Sequence, residues 1–156
     1  AAAFAIQKPY VLLVPGSAPQ HPAKRWPATQ YRALAQKLLS QGITPVLIGT
    51  AAEAEATRVI AKDLDGIADL TGKTQVADIA ALAQGAVAAV GNDTGPMHLI
   101  SVARCPVVSL FSHASDPARS APRGPVVRVL RRENLADLDA GSVWRELSPL
   151  LENQAG

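Results

Sequence analysis

The chain has 156 residues, 48% of them hydrophobic and 18% charged, with a formal net charge of +2. A chain of this size and composition can fold as one globular domain, which excludes a disordered or fibrous protein. The small net charge and scattered basic residues disfavour nucleic-acid binding, and a single cysteine excludes an internal disulfide and any multi-cysteine zinc site.

The sequence also bears on where the protein works. It contains no apolar run long enough to cross a bilayer, and residues 1–7 lack the charged start and apolar core of a signal peptide. We therefore expect a cytoplasmic protein. Its cysteine, Cys105, precedes a proline at a predicted strand start, where a buried, reduced thiol is expected.

Apolar runs alternate with stretches of helical periodicity along the chain. Residues 1–9 are interpreted as a linker or cloning remnant, and residues 10–156 as one domain. Strands are predicted at residues 10–14, 44–48, 67–70, 86–90, 107–111 and 126–130. Helices are predicted to begin near residues 28, 51, 76, 96 and 142, the second ending near residue 64. This alternation is typical of an α/β fold with a doubly wound parallel sheet, whose usual strand order, 3-2-1-4-5-6, makes the first and fourth strands neighbours.

A predicted buried strand runs directly into a helix where Gly91 breaks the apolar run. Asp93 and Thr94 are typical helix-entry residues, and Pro96 suits the first helical turn. The entry leaves backbone N–H groups without intrahelical partners, and Gly95 lets another molecule approach the backbone closely. An anion-binding site is one interpretation, and an ordinary capped strand-to-helix turn is the other.

The loop after the first strand, residues 15–27, is long and rich in proline, as functional loops often are. It contains Gly16 and Lys24, and it would open on the same crevice as the helix entry. A glycine, a lysine and a helix N-terminus that meet there predict a phosphate-bearing ligand. Lys24 could instead be a solvated loop residue. Trp26-Pro27 is interpreted as fixing the entry of the first helix.

Three familiar motifs are absent or incomplete. The dinucleotide fingerprint G-x-G-x-x-G does not occur, so an NAD enzyme is not expected. The stretch Thr71-Gly72-Lys73-Thr74 is similar to the end of a phosphate-binding P-loop, but Ile67 stands where that loop needs its first glycine. The histidines His21, His98 and His113 have no partner at three- or four-residue spacing, so no metal site is expected.

Several stretches together resemble a known family. GNDTGPMHL from Gly91 to Leu99, with PVVSLF from Pro106 to Phe111, resembles the signature of the lipopolysaccharide heptosyltransferases, glycosyltransferase family nine. PGS at residue 15 with KRWP at residue 24, and LTGKT at residue 70, resemble two further landmarks in the same order. The resemblance runs from about residue 10 to residue 125. Ser112 departs from it, since the family often has glycine there.

The resemblance implies that the chain is the C-terminal, donor-binding half of a two-domain GT-B enzyme, with a Rossmann-like, nucleotide-sugar-binding fold. It assigns the donor's phosphates to Ser17, Ala18 and Lys24, the pyrophosphate and sugar to Asp93, Thr94 and Gly95, the ribose to Glu53, and the base to the region of Lys73 and Thr74. Pro96 and His98 belong to the same helix entry, where His98 either orients Asp93 or packs. Glu53 could instead only favour the N-terminus of its helix.

The implied function is inverting transfer of a heptose from an ADP-sugar to a lipid A-core acceptor in lipopolysaccharide biosynthesis, without a metal or other cofactor. The family places the acceptor site and catalytic base in the N-terminal half. No catalytic residue is therefore assigned here, and this chain alone is predicted to be inactive. Peripheral association with the inner membrane would suit such an acceptor. A UDP-sugar transferase or epimerase of the same fold, and a nucleotide-binding module without chemistry, are the alternatives.

Overall fold

The computed structural model describes residues 6–16, 26–92, 95–112 and 126–152. Its strands are β1 (Tyr10–Val14), β2 (Thr44–Leu47), β3 (Ala68–Asp69), β4 (Ala88–Asn92), β5 (Val107–Phe111) and β6 (Val127–Arg131). Its α-helices are α1 (Ala28–Ser40), α2 (Ala54–Ala61), α3 (Val76–Gly85), α4 (Gly95–Val102) and α5 (Ala140–Glu152), with 3₁₀ turns at Ala51–Glu53 and Leu135–Asp137. Strands and helices alternate along the chain as the sequence predicts.

The six described strands form one parallel sheet in the order β3-β2-β1-β4-β5-β6. This confirms the predicted doubly wound topology. The strands β1 and β4 are direct neighbours, with Val14 beside Gly91 in the register. The strand order reverses between them, so the chain leaves β1 toward one edge of the sheet and β4 toward the other.

Helices cover both faces of the sheet, as expected when all strands are parallel and apolar. On one face, Leu13 of β1 packs in a cluster with Leu34 of α1 and Leu147 of α5. On the other face, Leu12 packs with Leu82 of α3 and with residues of α4. Successive residues of β1 therefore point into two separate cores, and the strand is buried from end to end.

The structure corrects the predicted end of the fourth strand. β4 continues through Gly91 to Asn92, because the backbone of Gly91 is paired with both neighbouring strands. A Cβ atom on Gly91 would lie 2.7 Å from the Sδ of Met97 and 2.9 Å from the Cβ of Val14. This glycine therefore permits the close packing of α4 against the sheet, and it does not break the strand.

The second helix is shorter than predicted. A 3₁₀ turn precedes α2, and the helix ends at Ala61 because Lys62 leaves the helical region and Asp63 has a φ of 57°. From α1, the Nη1 of Arg32 donates to the carbonyl oxygens of Val59 at 3.2 Å and Lys62 at 2.5 Å. These bonds satisfy carbonyl groups that lack intrahelical partners at the end of α2.

Candidate functional site

The carboxyl ends of β1 and β4 form the centre of a crevice. β1 continues into Pro15 and Gly16 and leads to α1 on one face of the sheet, whereas β4 leads to α4 on the other face. Ligands of open α/β sheets bind where two such connections diverge. The structure therefore places Gly16 and the entry of α4 at the same edge of the sheet, as the sequence predicts.

The side chain of Asn92 is fully buried beneath this crevice and makes four hydrogen bonds. Its Nδ2 donates to the carbonyl oxygens of Pro15 at 2.8 Å and Gly16 at 3.4 Å. Its Oδ1 accepts from the backbone N–H of Trp26 at 3.1 Å and from the hydroxyl of Tyr31 at 2.9 Å. One amide thus joins the end of β4 to the end of β1 and the start of α1.

From the sequence, Asn92 is identified only as part of the motif, and no role is predicted for it. Its position does contain a signal for a buried, hydrogen-bonded side chain, since Asn92 is a polar residue at the end of an apolar run, next to a glycine. A buried polar side chain needs partners, and the end of a central parallel strand is where loop backbone groups need them most. Its four partners, however, come from parts of the chain 61 to 77 residues away.

Trp26 and Tyr31 anchor the start of α1 in the core. The indole Nε1 of Trp26 donates to the carbonyl oxygen of Leu138 at 2.7 Å, and its ring meets that of Tyr31 edge to face with centroids 4.7 Å apart. Burial raises the pKa of Tyr31, so its hydroxyl stays protonated and donates to Asn92. These contacts support the interpretation that Trp26-Pro27 fixes the entry of the first helix.

Glu53 lies at the carboxyl ends of β1 and β2, at the end of the first 3₁₀ turn. Its Oε2 accepts a hydrogen bond of 2.6 Å from the hydroxyl of Thr50. Its Oε1 lies so close to Gly16 that a Cβ there would overlap it, and a Cβ on Gly49 would lie 3.2 Å from the Cβ of Glu53. A half-buried carboxylate held in this way can accept hydrogen bonds from neighbouring hydroxyl groups, such as those of a ribose.

A cavity of about 240 Å³ opens beside Glu53. Its lining includes Pro15 and Trp26 as well as Glu53 and Glu55. Its described lining contains two carboxylates and no basic side chain, so a group that donates hydrogen bonds fits this part of the crevice better than a phosphate. The division between a ribose side and a phosphate side stays a prediction, because most of the predicted phosphate contacts lie outside the described residues.

The turn after β3 carries Lys73 and Thr74 to the same edge of the sheet. Gly72, with a φ of +73°, donates its N–H to the carbonyl oxygen of Gly49 at 2.7 Å. Since Gly49 packs against Glu53, this bond brings the predicted base region beside the predicted ribose residue. Lys73 is exposed and Thr74 is half-buried.

The helix α4 begins at Gly95, with Pro96 and His98 in its first turn. Pro96 occupies a position where its missing N–H costs no helical hydrogen bond, as predicted. Both Pro96 and His98 are half-buried. The two interpretations of His98, orienting Asp93 or packing, stay predictions.

Other predicted contacts lie outside the described residues, namely Ser17, Ala18, Lys24, Asp93 and Thr94, and so do His21 and His113. The phosphate and sugar contacts therefore stay predictions without a described geometry. Glu53, Lys73 and Thr74 do have described positions, and the structure gathers them at one edge of the sheet.

Three further findings concern the sites considered from the sequence. Within the described ranges, no group of three or more His, Cys, Asp and Glu side chains is placed to hold a metal ion. None of the helices in the described part of the chain is both long and apolar enough to span a membrane. Cys105 is buried, as predicted, and burial raises the pKa of its thiol to about 12, which makes it a poor nucleophile near neutral pH.

Comparisons with known proteins show the family and the fold of this chain. Residues 1–146 match the model of glycosyltransferase family 9 (heptosyltransferase). Lipopolysaccharide heptosyltransferase 2 of Salmonella typhimurium is 34% identical over an alignment of 170 residues, gaps included. The alignment covers 95% of this chain and 48% of that protein. The chain thus spans about half the length of the curated relatives that it matches.

Solved structures resemble the fold as well. The structure of E. coli ADP-heptose lipopolysaccharide heptosyltransferase II is 30% identical, with a TM-score of 0.87 over 99% of this chain and 50% of that one. The dodecameric, iron-containing heptosyltransferase TibC of E. coli, solved with ADP-D-β-D-heptose, is 25% identical, with a TM-score of 0.59 over 80% of this chain and 32% of that one. The Rossmann-like fold predicted for one half of a GT-B enzyme is confirmed. The chain belongs to glycosyltransferase family 9, the heptosyltransferase family.

Proposed function

We propose that this chain is the donor-binding half of an inverting heptosyltransferase of lipopolysaccharide core biosynthesis, and that its donor is ADP-heptose. The observation that carries the proposal is the position of Glu53, a carboxylate bound by Thr50 and packed against Gly16, at the end of the strand next to the point where the strand order reverses. Membership of family 9 supports the reaction class, and the E. coli relative that covers 99% of this chain is named for ADP-heptose.

In the proposed complex, Glu53 accepts hydrogen bonds from the ribose hydroxyls of the donor. The base then lies toward the turn that carries Lys73 and Thr74, because Gly72 connects this turn to Gly49 beside the carboxylate. The pyrophosphate extends in the opposite direction, toward the entry of α4. This orientation keeps the anionic phosphates away from Glu53 and Glu55.

The phosphate side of the proposed site consists of Ser17, Ala18 and Lys24, and the pyrophosphate and sugar are bound by Asp93, Thr94 and Gly95 with Pro96 and His98 beside them. The N-terminus of α4 and the ammonium group of Lys24 would stabilise the charge that develops on the departing phosphate. Because these groups meet that charge, we propose a transfer that uses no metal and no cofactor in this half.

The acceptor is proposed to be a lipid A-core saccharide, bound together with the catalytic base by residues outside this chain. Inversion requires a base within hydrogen-bond distance of the acceptor hydroxyl and an acceptor held in line with the leaving group. We therefore propose that the chain alone is inactive. The enzyme would work in the cytoplasm, at the inner face of the membrane where such an acceptor is held.

Calorimetric titration of the chain with ADP and with UDP tests the donor. We expect ADP to bind at least about tenfold more tightly, because adenine and uracil differ in size and in their hydrogen-bonding edges. Tighter binding of UDP would favour the UDP-sugar alternative. Equal and weak binding of both nucleotides would contradict a nucleotide-sugar site.

A second experiment tests whether the chain alone can catalyse the transfer. The chain is incubated with ADP-heptose and a truncated lipid A-core acceptor, and both are followed by mass spectrometry. We expect both to stay unchanged while ADP raises the Tm of the chain. Glycosylated acceptor that accumulates in proportion to the chain's concentration would show that a catalytic base lies within these 156 residues.

A further inference from the structure

We infer that Asn92 is the positioning residue of the nucleotide site: its buried amide holds the backbone at Gly16 and Trp26, and through Gly16 it fixes the carboxylate of Glu53. The inference rests on the proposed function, since it concerns the site in which Glu53 binds the ribose. Asn92 itself is covered by the chain and touches no ligand in this arrangement.

The hydrogen-bonding capacity of Asn92 is used on both sides of its amide. The NH₂ group faces two successive carbonyl oxygens, those of Pro15 and Gly16, and the carbonyl oxygen receives one backbone N–H and one hydroxyl. An amide offers two donors and two acceptor lone pairs, so all four are occupied. A buried polar network that is fully satisfied holds its members rigidly.

The two carbonyl groups that Asn92 binds lie beyond the sheet. The register between β1 and β4 ends at the pair Val14 and Gly91, so Pro15 and Gly16 are past the last paired residue of β1. The hydrogen bonds that the Nδ2 of Asn92 donates to these two carbonyl oxygens extend the attachment of β1 to β4 by two residues. The amide therefore helps to fix the backbone of Gly16, mainly through its 2.8 Å bond to the preceding residue, Pro15, and more weakly through the 3.4 Å bond to Gly16 itself.

Gly16 in turn limits where the carboxylate of Glu53 can lie. The Oε1 of Glu53 occupies the space that a Cβ on Gly16 would take, and its Oε2 is bound by Thr50. A shift of the Gly16 backbone toward β2 would displace the carboxylate of Glu53. A shift in the other direction would remove the surface against which this carboxylate packs. Asn92 on β4 thus acts on a residue after β2, across β1.

The variant Asn92→Ser tests this inference, since serine keeps a hydroxyl but cannot reach all four partners. We expect the dissociation constant for ADP to rise by about tenfold or more. The matched control is Tyr10→Phe, which removes a buried 2.6 Å hydrogen bond from the Tyr10 hydroxyl to the carbonyl oxygen of Leu82 at the opposite end of the sheet. Both variants should melt earlier than the parent, but the control should bind ADP within about twofold of the parent.

A double-mutant cycle with Glu53→Gln separates positioning from general destabilisation. If Asn92 acts through Glu53, the double variant binds ADP more tightly than the product of the two single effects predicts. If the two single effects on the dissociation constant multiply in full, Asn92 does not act through Glu53, and the inference is wrong. If Asn92→Ser does not fold, Asn92→Asp takes its place, because it has the same shape and keeps Oδ1 for Trp26 and Tyr31. Its second oxygen repels the carbonyl groups of Pro15 and Gly16 when it is ionised, and donates to only one of them when it is protonated.

The outcomes distinguish this inference from the proposed function. A parent that binds ADP, with an Asn92 variant that binds equally well, overturns the positioning role and leaves the proposed function intact. A parent that does not bind ADP overturns both. A weakened Asn92 variant, an unaffected Tyr10→Phe and a non-additive cycle support the inference.

Discussion

The two ends of strand β1 bury polar side chains to different effect. At the amino end, the hydroxyl of Tyr10 makes one hydrogen bond to Leu82 and attaches α3 to the sheet. At the carboxyl end, the amide of Asn92 makes four bonds that fix the backbone on both sides of residues 17–25. Both side chains are fully buried, so the difference lies in what they hold and not in their exposure.

This contrast separates residues that serve stability from residues that serve binding along one strand. The amino end is closed by apolar packing, and burial raises the pKa of both Tyr10 and Cys105 there. At the carboxyl end, the Asn92 amide bonds to backbone groups of Pro15, Gly16 and Trp26, next to a cavity that Glu53 lines. Substitutions at the amino end should therefore alter stability alone, whereas substitutions at the carboxyl end should alter nucleotide affinity.

The largest loss of affinity is expected for Gly95→Val at the entry of α4. A branched side chain there would restrict the backbone and occupy the place of the anion, so ADP binding should fall at least about 100-fold, or about 2.7 kcal/mol. Calorimetry and a crystal soaked with ADP measure this. Gly141→Val, near the start of α5, is the matched control and should bind as the parent does. Clear ADP density at the helix entry of Gly95→Val would show that the anion site is misplaced.

A smaller loss is expected for Lys24→Ala. Removing one charge-assisted hydrogen bond to a phosphate should weaken ADP binding by about 1 to 3 kcal/mol without unfolding the domain. Titration calorimetry gives the affinity, and thermal melting reports the fold. Lys37→Ala, on the surface shared by α1 and α5, removes the same charge away from the crevice. Unchanged affinity in Lys24→Ala would assign Lys24 to the solvated surface.

The third effect is expected for Glu53→Gln, which keeps the shape of the side chain and removes its charge. Binding of ADP should weaken by about 0.5 to 1.5 kcal/mol, because the ribose hydroxyls lose an ionised acceptor. Glu55→Gln lines the same cavity and is the matched control. With a dideoxyribose analogue of ADP, parent and Glu53→Gln should bind alike. A difference that persists with this analogue would argue against a ribose contact.

Cys105 lies just before β5, at the amino edge of the sheet and away from the crevice. Substitution of Cys105 should therefore leave ADP binding unchanged. Since burial raises its pKa to about 12, the native thiol should resist iodoacetamide at pH 8, whereas the unfolded chain should react readily.

The raised pKa also makes stability depend on pH. The folded state binds the thiol proton more tightly than the unfolded state, so the stabilisation from this proton is complete below the ordinary pKa of 9.0 and is lost as the pH rises toward 12. Cys105→Ala should reduce that alkaline loss of stability, and rapid labelling of the native chain would contradict the burial.

Much of the fold follows from local pattern. The strands β1 and β5 have their predicted bounds, because runs of branched apolar residues leave little choice of structure. The strand order also follows, since parallel strands with helical connections permit few arrangements. The end of β4 does not follow, because Gly91 resembles a terminator in the sequence and is kept small by Met97 and Val14, which are six residues ahead and 77 residues behind in the chain.

The amino-acid sequence by itself determines the doubly wound sheet and the family, because periodicity and motif are local properties. Only the tertiary structure decides that Glu53 lies against Gly16, that Gly72 joins the turn after β3 to the residues after β2, and that Asn92 holds the end of β1 and the start of α1. These are contacts between residues far apart in the chain. They depend on how strands and helices pack, and a close approach or a shared hydrogen bond has no counterpart in sequence spacing.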